Sequence, residues 1–120
     1  MAKRVLIVDD AIFMRNMIKD IFSGSGFEVV GEAATGLEGV SEAARLRPQI
    51  VLLDIGLPDI DGVEVAHRIT AAAADGKAPA VVLTSSRDGI GCETIFASCG
   101  ARGFIPKAEL SGDAITALAA

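Results

Sequence analysis

The chain has 120 residues, of which 51% are hydrophobic and 22% charged, and its formal net charge at pH 7 is −5. This length is typical of one domain with a substantial core, so we expect a single domain over residues 1–120. The acidic balance argues against the basic surface that direct binding to nucleic acid or to an anionic membrane requires.

Nothing in the sequence indicates export or membrane insertion. Met1 leads almost at once into a strand-like run, which predicts the absence of a signal peptide, and no apolar run approaches the length of a membrane span. Cys92 and Cys99 lie in a helix-like stretch, where two turns separate them by about 10 Å, too far for a disulfide. We therefore expect a cytoplasmic protein with two reduced cysteines.

The first predicted elements are a strand and a helix. Residues 5–8 form an apolar run rich in β-branched side chains, and this run stops at two adjacent aspartates. The next segment has apolar residues at helical spacing and ends in a Ser/Gly-rich stretch at residues 23–26. Ile12 and Phe13 cannot both face the sheet with that apolar stripe, so a small exposed apolar patch is expected there.

Strand and helix patterns alternate along the rest of the chain. Further strands are predicted at residues 27–30, 50–53, 80–83 and 103–105. Further helices are predicted at residues 36–46, 63–74 and 92–99, and from an N-cap at Ser111 to the C-terminus. Five strands alternating with five helices predict an α/β fold with a parallel sheet covered on both faces.

Polar side chains follow four of the predicted strands. Asp9 and Asp10 come after the first strand, Asp54 after the third, Thr84 after the fourth and Lys107 after the fifth. Ligands of open parallel sheets bind outside the carboxyl ends of the strands. If these four strands are neighbours, the five side chains meet in one crevice.

Such a set of side chains suits phosphoryl transfer to a carboxylate. Three clustered carboxylates repel one another unless a cation neutralises them, and oxygen ligands favour Mg²⁺ or Mn²⁺. A carboxylate can act as the nucleophile, while an ammonium and a hydroxyl stabilise the transferred group. Asp54 is the predicted nucleophile because it is the single carboxylate at the centre of the sheet, and the Asp9–Asp10 pair is predicted to bind the metal.

With these residues placed, the sequence closely resembles the receiver domains of bacterial two-component response regulators, of the stand-alone type related to chemotaxis regulators. Residues 4–10, 54–62, 82–85 and 103–107 carry the similarity, which extends over essentially the whole chain. The resemblance implies a flavodoxin-like (βα)5 doubly wound parallel sheet with strand order 2-1-3-4-5.

The resemblance also implies roles for the pocket residues. Asp54 would accept a phosphoryl group from a histidine kinase or a phosphotransfer domain. Together with Asp9, Asp10 and the backbone carbonyl of Gly56, it would hold Mg²⁺. Thr84 and Lys107 would contact the phosphoryl group in this phosphorelay.

The family further implies a conformational switch rather than turnover of a substrate. Thr84 would turn toward the phosphoryl group, and Phe104 would then swing inward. The face formed by the fourth helix, fifth strand and fifth helix (α4-β5-α5) would change and signal to a downstream protein target, or to an output domain missing from this chain.

Two departures from the family pattern concern the same pocket. Receivers usually have proline directly after the lysine, whereas here Pro106 precedes Lys107 and Ala108 follows it. Positions 56 and 86, whose side chains tune phosphoryl loss in the family, are Gly and Ser. Because Gly56 offers nothing to orient an attacking water, slow autodephosphorylation is expected.

Three other functions remain open at this point. A small phosphatase of the haloacid dehalogenase type also combines Asp, Thr and Lys, although its acids stand in an Asp-x-Asp arrangement. A flavin-binding flavodoxin-like module would need a phosphate loop in place of Asp9 and Asp10. A degenerate receiver would signal without phosphate.

Overall fold

The computed structural model describes residues 3–23, 26–72, 78–85 and 100–119. The strands in these ranges are β1 (Lys3–Val8), β2 (Phe27–Ala33), β3 (Ile50–Asp54), β4 (Ala80–Ser85) and β5 (Gly103–Pro106). The α-helices are α1 (Ile12–Phe22), α2 (Gly36–Leu46), α3 (Gly62–Ala71) and a C-terminal helix (Gly112–Ala119). The predicted fourth helix, with both cysteines and Ser86, lies outside the described residues.

All five strands form one parallel sheet in the order β2-β1-β3-β4-β5. The expected α/β fold and strand order are confirmed. Because β1, β3, β4 and β5 are consecutive in the sheet, the polar residues at their carboxyl ends lie along one edge.

Hydrophobic side chains cover both faces of the sheet because successive strand residues point to opposite sides. On one face, Val8 and Leu53 pack with side chains of α2 and α3. On the other face, Ile7 and Leu52 pack with α1 and the C-terminal helix, where Ile115 is fully buried. The fold is therefore doubly wound.

The second strand is longer than the sequence indicates. Its end was predicted at Val30, but β2 runs through Gly31 to Ala33. The pairing of β1 with β2 shifts between Val5 and Leu6, so that Leu6 pairs with Gly31. Glycine is generally unfavourable inside a strand. At position 31, however, a Cβ would lie 2.5 Å from Leu46 Cδ1, so the close packing of α2 against β2 requires glycine there. The predicted end was wrong for this reason.

The ends of the helices mostly follow local capping signals. The Ser111 hydroxyl accepts a hydrogen bond from the Ala114 amide at 3.1 Å, as predicted for the C-terminal helix.

At the start of α1, Ile12 and Phe13 are 66% and 74% exposed, which confirms the expected apolar patch. In the described part of the chain, none of the helices has the length and apolar character needed to cross a bilayer.

Candidate functional site

The carboxyl-terminal edge of the sheet gathers acidic side chains from two neighbouring strands. Carboxylate oxygens of Asp9, Asp10 and Asp54 all lie within 4.8 Å of one another. Asp9 and Asp54 are only 1% and 7% exposed, whereas Asp10 is exposed to solvent. The structure thus brings together the three carboxylates that the sequence placed at strand ends.

Backbone amides fix two of these carboxylates. Asp9 Oδ1 accepts a hydrogen bond from the Ala11 amide at 2.9 Å. Asp54 Oδ1 accepts one from the Gly56 amide at 3.0 Å. Each bond reaches two residues along the chain, so each carboxylate is oriented by the loop that directly follows it.

Lys107 supplies the positive charge of the pocket. Its Nζ lies 2.8 Å from Asp9 Oδ2 and 3.3 Å from Asp54 Oδ2. Burial on its own lowers the pKa of Lys107, but the two carboxylates outweigh burial, and the net pKa is raised. The ammonium therefore stays charged at neutral pH. Lys107 also begins a single 3₁₀ turn, Lys107–Glu109, which gives the loop after Pro106 its shape.

The donor set suits a small divalent cation. Asp9 Oδ2 is buried and accepts no hydrogen bond within the described residues; its one close neighbour of opposite charge is the Lys107 ammonium. In the described part of the chain, three carboxylates are paired with the Lys107 ammonium alone, which leaves excess negative charge and oxygen ligands of the kind that Mg²⁺ and Mn²⁺ prefer. The cluster therefore fits the metal that the sequence led us to expect.

The fold and this cluster agree with comparisons to known proteins. A family model described as the response regulator receiver domain matches residues 5–119. The chain belongs to this family. It is a signalling receiver domain similar to CheY, and the matched family is not that of the phosphatases or flavodoxins considered above.

Relatives of this receiver domain include chemotaxis proteins. The chemotaxis protein CheY of Thermotoga maritima is 51% identical over 69 residues, which make up 58% of this chain and 58% of the relative. CheY of Listeria monocytogenes is 43% identical over 87% of this chain and 85% of the relative. In a solved CheX-CheY-BeF3-Mg complex from Borrelia burgdorferi, the matching chain is 28% identical with a TM-score of 0.82, over 97% of this chain and 85% of that one.

Of the two predicted switch residues, Thr84 lies on β4, directly beside the strand of Asp54, and Phe104 lies on β5, one strand further out. Thr84 is the ladder partner of Asp54 and is 1% exposed; its hydroxyl donates a long hydrogen bond of 3.5 Å to the Leu53 carbonyl. Phe104 pairs with Leu83 in the β4–β5 ladder and packs, half-buried, against the hydrophobic cluster on the α2–α3 face. The Thr84 hydroxyl is thus close to β3 but held, among the described residues, by only one long hydrogen bond.

Sequence reasoning did not anticipate two side chains around this receiver pocket. The Arg15 guanidinium donates to the Asp9 carbonyl at 2.6 Å and to Glu32 Oε1 at 3.1 Å, which ties the start of α1 to β2. The Asp59 carboxylate accepts hydrogen bonds from the first two amides of α2. Arg15 lies in a predicted helix that closely follows Asp9 and Asp10 in the sequence, so its position near these acids could have been inferred. No local sequence pattern indicated that Asp59 would bond to α2.

Proposed function

We propose that the chain is the phosphoacceptor of a two-component phosphorelay, in which Asp54 takes a phosphoryl group from a histidine kinase or phosphotransfer domain. The supporting observation is the convergence of Asp9, Asp10 and Asp54 within 4.8 Å, with Lys107 Nζ 3.3 Å from Asp54 Oδ2. A nucleophile, acidic metal ligands and a fixed cation in one pocket are what transfer to a carboxylate requires.

In the proposed transfer, a carboxylate oxygen of Asp54 forms a bond to phosphorus. The bond from phosphorus to the donor's histidine nitrogen breaks, and that nitrogen leaves with the electron pair. The donor's ring carries a proton on its other nitrogen, so the products are an aspartyl phosphate and a neutral imidazole. The Lys107 ammonium stabilises the negative charge on the phosphoryl oxygens, and the Gly56 amide orients the acceptor through its bond to Oδ1.

Asp9, Asp10, Asp54 and the Gly56 carbonyl would hold Mg²⁺ or Mn²⁺. When bound, the metal supplies positive charge to the oxygens of the phosphoryl group. The buried Asp9 Oδ2, whose close partner among the described residues is the Lys107 ammonium, supports this assignment because it keeps capacity for a further cation. The solved Borrelia CheX-CheY complex, which contains BeF3 and Mg, is in keeping with it.

The proposed output is a change of shape. The Thr84 hydroxyl would exchange its long bond to the Leu53 carbonyl for one to the phosphoryl group, and Phe104 would move inward on the neighbouring strand. The surface of the fifth strand and the C-terminal helix, with the predicted fourth helix that lies outside the described residues, would then bind a downstream protein or an output domain. We further propose that this single domain of residues 1–120 is cytoplasmic and does not turn over a substrate. It would contact neither nucleic acid nor a membrane directly.

Labelling with a small phosphodonor tests the proposal. Purified protein is incubated with acetyl phosphate and MgCl₂, and intact mass is followed with time. We expect a gain of one phosphoryl group, which should not form when EDTA replaces MgCl₂ from the start and should be absent in Asp54→Ala. Asp20→Asn serves as the control because it removes an exposed carboxylate on α1, away from the acid cluster. Labelling that survives in Asp54→Ala, or sustained hydrolysis of p-nitrophenyl phosphate, would contradict the proposal; an unlabelled wild type would favour a receiver that signals without phosphate.

A further inference from the structure

The loop that carries Gly56 is held at its two ends by the sheet and by α3. It spans residues 55–61 between β3 and α3. The Ile55 amide donates to the Thr84 carbonyl at 3.0 Å, and the Gly62 amide donates to the Ile55 carbonyl at 3.2 Å. Between these ends Gly56, Pro58 and Asp59 are exposed. The ends alone therefore leave the middle of the loop free to move.

Asp59 holds the middle of this loop against α2. Its Oδ1 accepts a hydrogen bond from the Gly36 amide at 2.7 Å, and its Oδ2 accepts one from the Leu37 amide at 2.9 Å. These two backbone bonds lower the pKa of Asp59 from 3.8 to about 2, so the carboxylate is ionised at every physiological pH. The positive end of the helix dipole favours the same charge.

The start of α2 fits closely against this loop. A Cβ at Gly36 would lie 2.6 Å from Ile60 Cγ1 and 2.7 Å from Val65 Cγ2, so only glycine allows the helix to approach this near. The Asp59 bonds are therefore part of a packed contact between α2, the loop and α3.

We propose that Asp59 is a positioning residue for metal binding, an inference that rests on the proposed metal-dependent function. Gly56, whose carbonyl is the proposed ligand, has no side chain and therefore the widest backbone freedom of any residue. Asp59 lies three residues further on and joins that stretch of backbone to a helix packed on the sheet. This contact limits the conformations of the Gly56 carbonyl before the metal binds.

A purely structural role, capping α2, is the competing explanation. That helix already has an N-cap, because the Thr35 hydroxyl accepts a hydrogen bond from the Glu38 amide at 3.1 Å. Thr35→Ala removes a cap from the same helix end without touching the loop. It is therefore a matched control for Asp59→Ala. Both variants weaken the start of α2, but only Asp59→Ala also removes the hydrogen bonds that hold the loop to this helix.

The test measures Mg²⁺ binding by isothermal titration calorimetry with MgCl₂ on the full chain. We expect the Kd of Asp59→Ala to rise by about tenfold, as for other groups that orient metal ligands from outside the coordination sphere. Asp59→Asn keeps one acceptor oxygen and should fall between Asp59→Ala and wild type. Thr35→Ala should bind as wild type does. In metal-free protein, amide exchange at Gly56 should quicken in Asp59→Ala and remain unchanged in Thr35→Ala.

The possible results separate this inference from the function on which it rests. If wild type binds Mg²⁺ but Asp59→Ala binds it equally well, or if Thr35→Ala loses as much affinity, the inference is overturned and the proposed function stands. If wild type binds no Mg²⁺, the metal-dependent function is overturned, and the inference with it. Should Asp59→Ala prove too unstable to titrate, Asp59→Asn against Thr35→Ala gives the same comparison.

Discussion

Lys107 lies nearer to Asp9 than to Asp54, with its ammonium 2.8 Å from Asp9 Oδ2 and 3.3 Å from Asp54 Oδ2. The Lys107 ammonium is thus shared by the buried acid after β1 and the proposed acceptor at the end of β3. Among the described residues, Asp10 adds a third carboxylate to this cluster, and Lys107 is the cation paired with its carboxylates. This imbalance predicts how the metal-free protein responds to changes of charge.

Removal of the ammonium should destabilise the protein. Lys107→Met keeps much of the side-chain volume but leaves Asp9, only 1% exposed, without a counter-ion. Breaking such a pair from one side costs about 3 kcal/mol. We expect the free energy of unfolding in urea, measured in EDTA, to fall by about that amount. An unchanged free energy of unfolding would mean that solvent stabilises the Asp9 carboxylate as well as the Lys107 ammonium does.

Neutralisation of the acceptor should have the opposite effect. Asp54→Asn removes one of three carboxylates that lie within 4.8 Å of one another, and we expect relief of their repulsion to outweigh the lost pair with Lys107, so metal-free stability should rise by on the order of 1 kcal/mol. Asp20→Asn changes net charge equally at an exposed site and should leave stability nearly constant. Denaturation in EDTA measures both variants. A loss of stability in Asp54→Asn would show that its pair with Lys107 outweighs the repulsion.

The sequence predicts the pocket well because the signals are local. Asp54 and Thr84 each end an apolar run, and parallel pairing alone aligns them as ladder partners. The Asp59 contact with α2 could not be predicted in this way, because it joins residues 22 and 23 positions apart through backbone amides that carry no sequence signature. The predicted end of β2 was wrong for a related reason. By local sequence preference Gly31 indicates the end of a strand, and only its packing against Leu46 explains why the strand continues.

Gly56 should prolong the life of the phosphoryl group. A Cβ at this position would lie 3.6 Å from Asp54 Oδ1, so a polar side chain there could orient water beside the acceptor. We expect Gly56→Asn to speed loss of the phosphoryl group by about tenfold through such positioning, and Gly56→Ala, which adds no polar group, to change it little. Decay of the labelled mass after removal of acetyl phosphate measures the rate. Equal decay in the two variants would argue against water positioning from residue 56.

The Asp59 contact should give a distinct dependence of stability on pH. Its pKa is lowered in the folded protein from 3.8 to about 2 by bonds to the Leu37 and Gly36 amides. A lowered folded pKa contributes stability above the unfolded pKa, and that contribution is lost as pH falls through the folded value. The difference in unfolding free energy between wild type and Asp59→Asn should therefore be constant above about pH 5 and shrink toward pH 2. A difference that stays constant down to pH 2 would contradict the ionised contact.

Gly62 should be required for the shape of the acceptor loop as well as for stability. A Cβ at Gly62 would lie 2.6 Å from Ile55 Cα and 2.7 Å from the Asp54 carbonyl oxygen, both of them backbone atoms that cannot rotate away. Gly62→Ala should therefore cost about 1–3 kcal/mol of stability and displace the residues next to the acceptor.

Gly39→Ala provides the comparison for this last variant. There the nearest atoms to the added Cβ belong to the Val8 side chain, at 2.9 Å, within the core on the α2–α3 face. Both variants should unfold at lower urea concentration, but only Gly62→Ala should also label slowly with acetyl phosphate at a temperature where both are folded. Equal labelling of the two would mean that the proposed acceptor tolerates displacement of the loop behind it, since only Gly62→Ala places the strain next to Asp54.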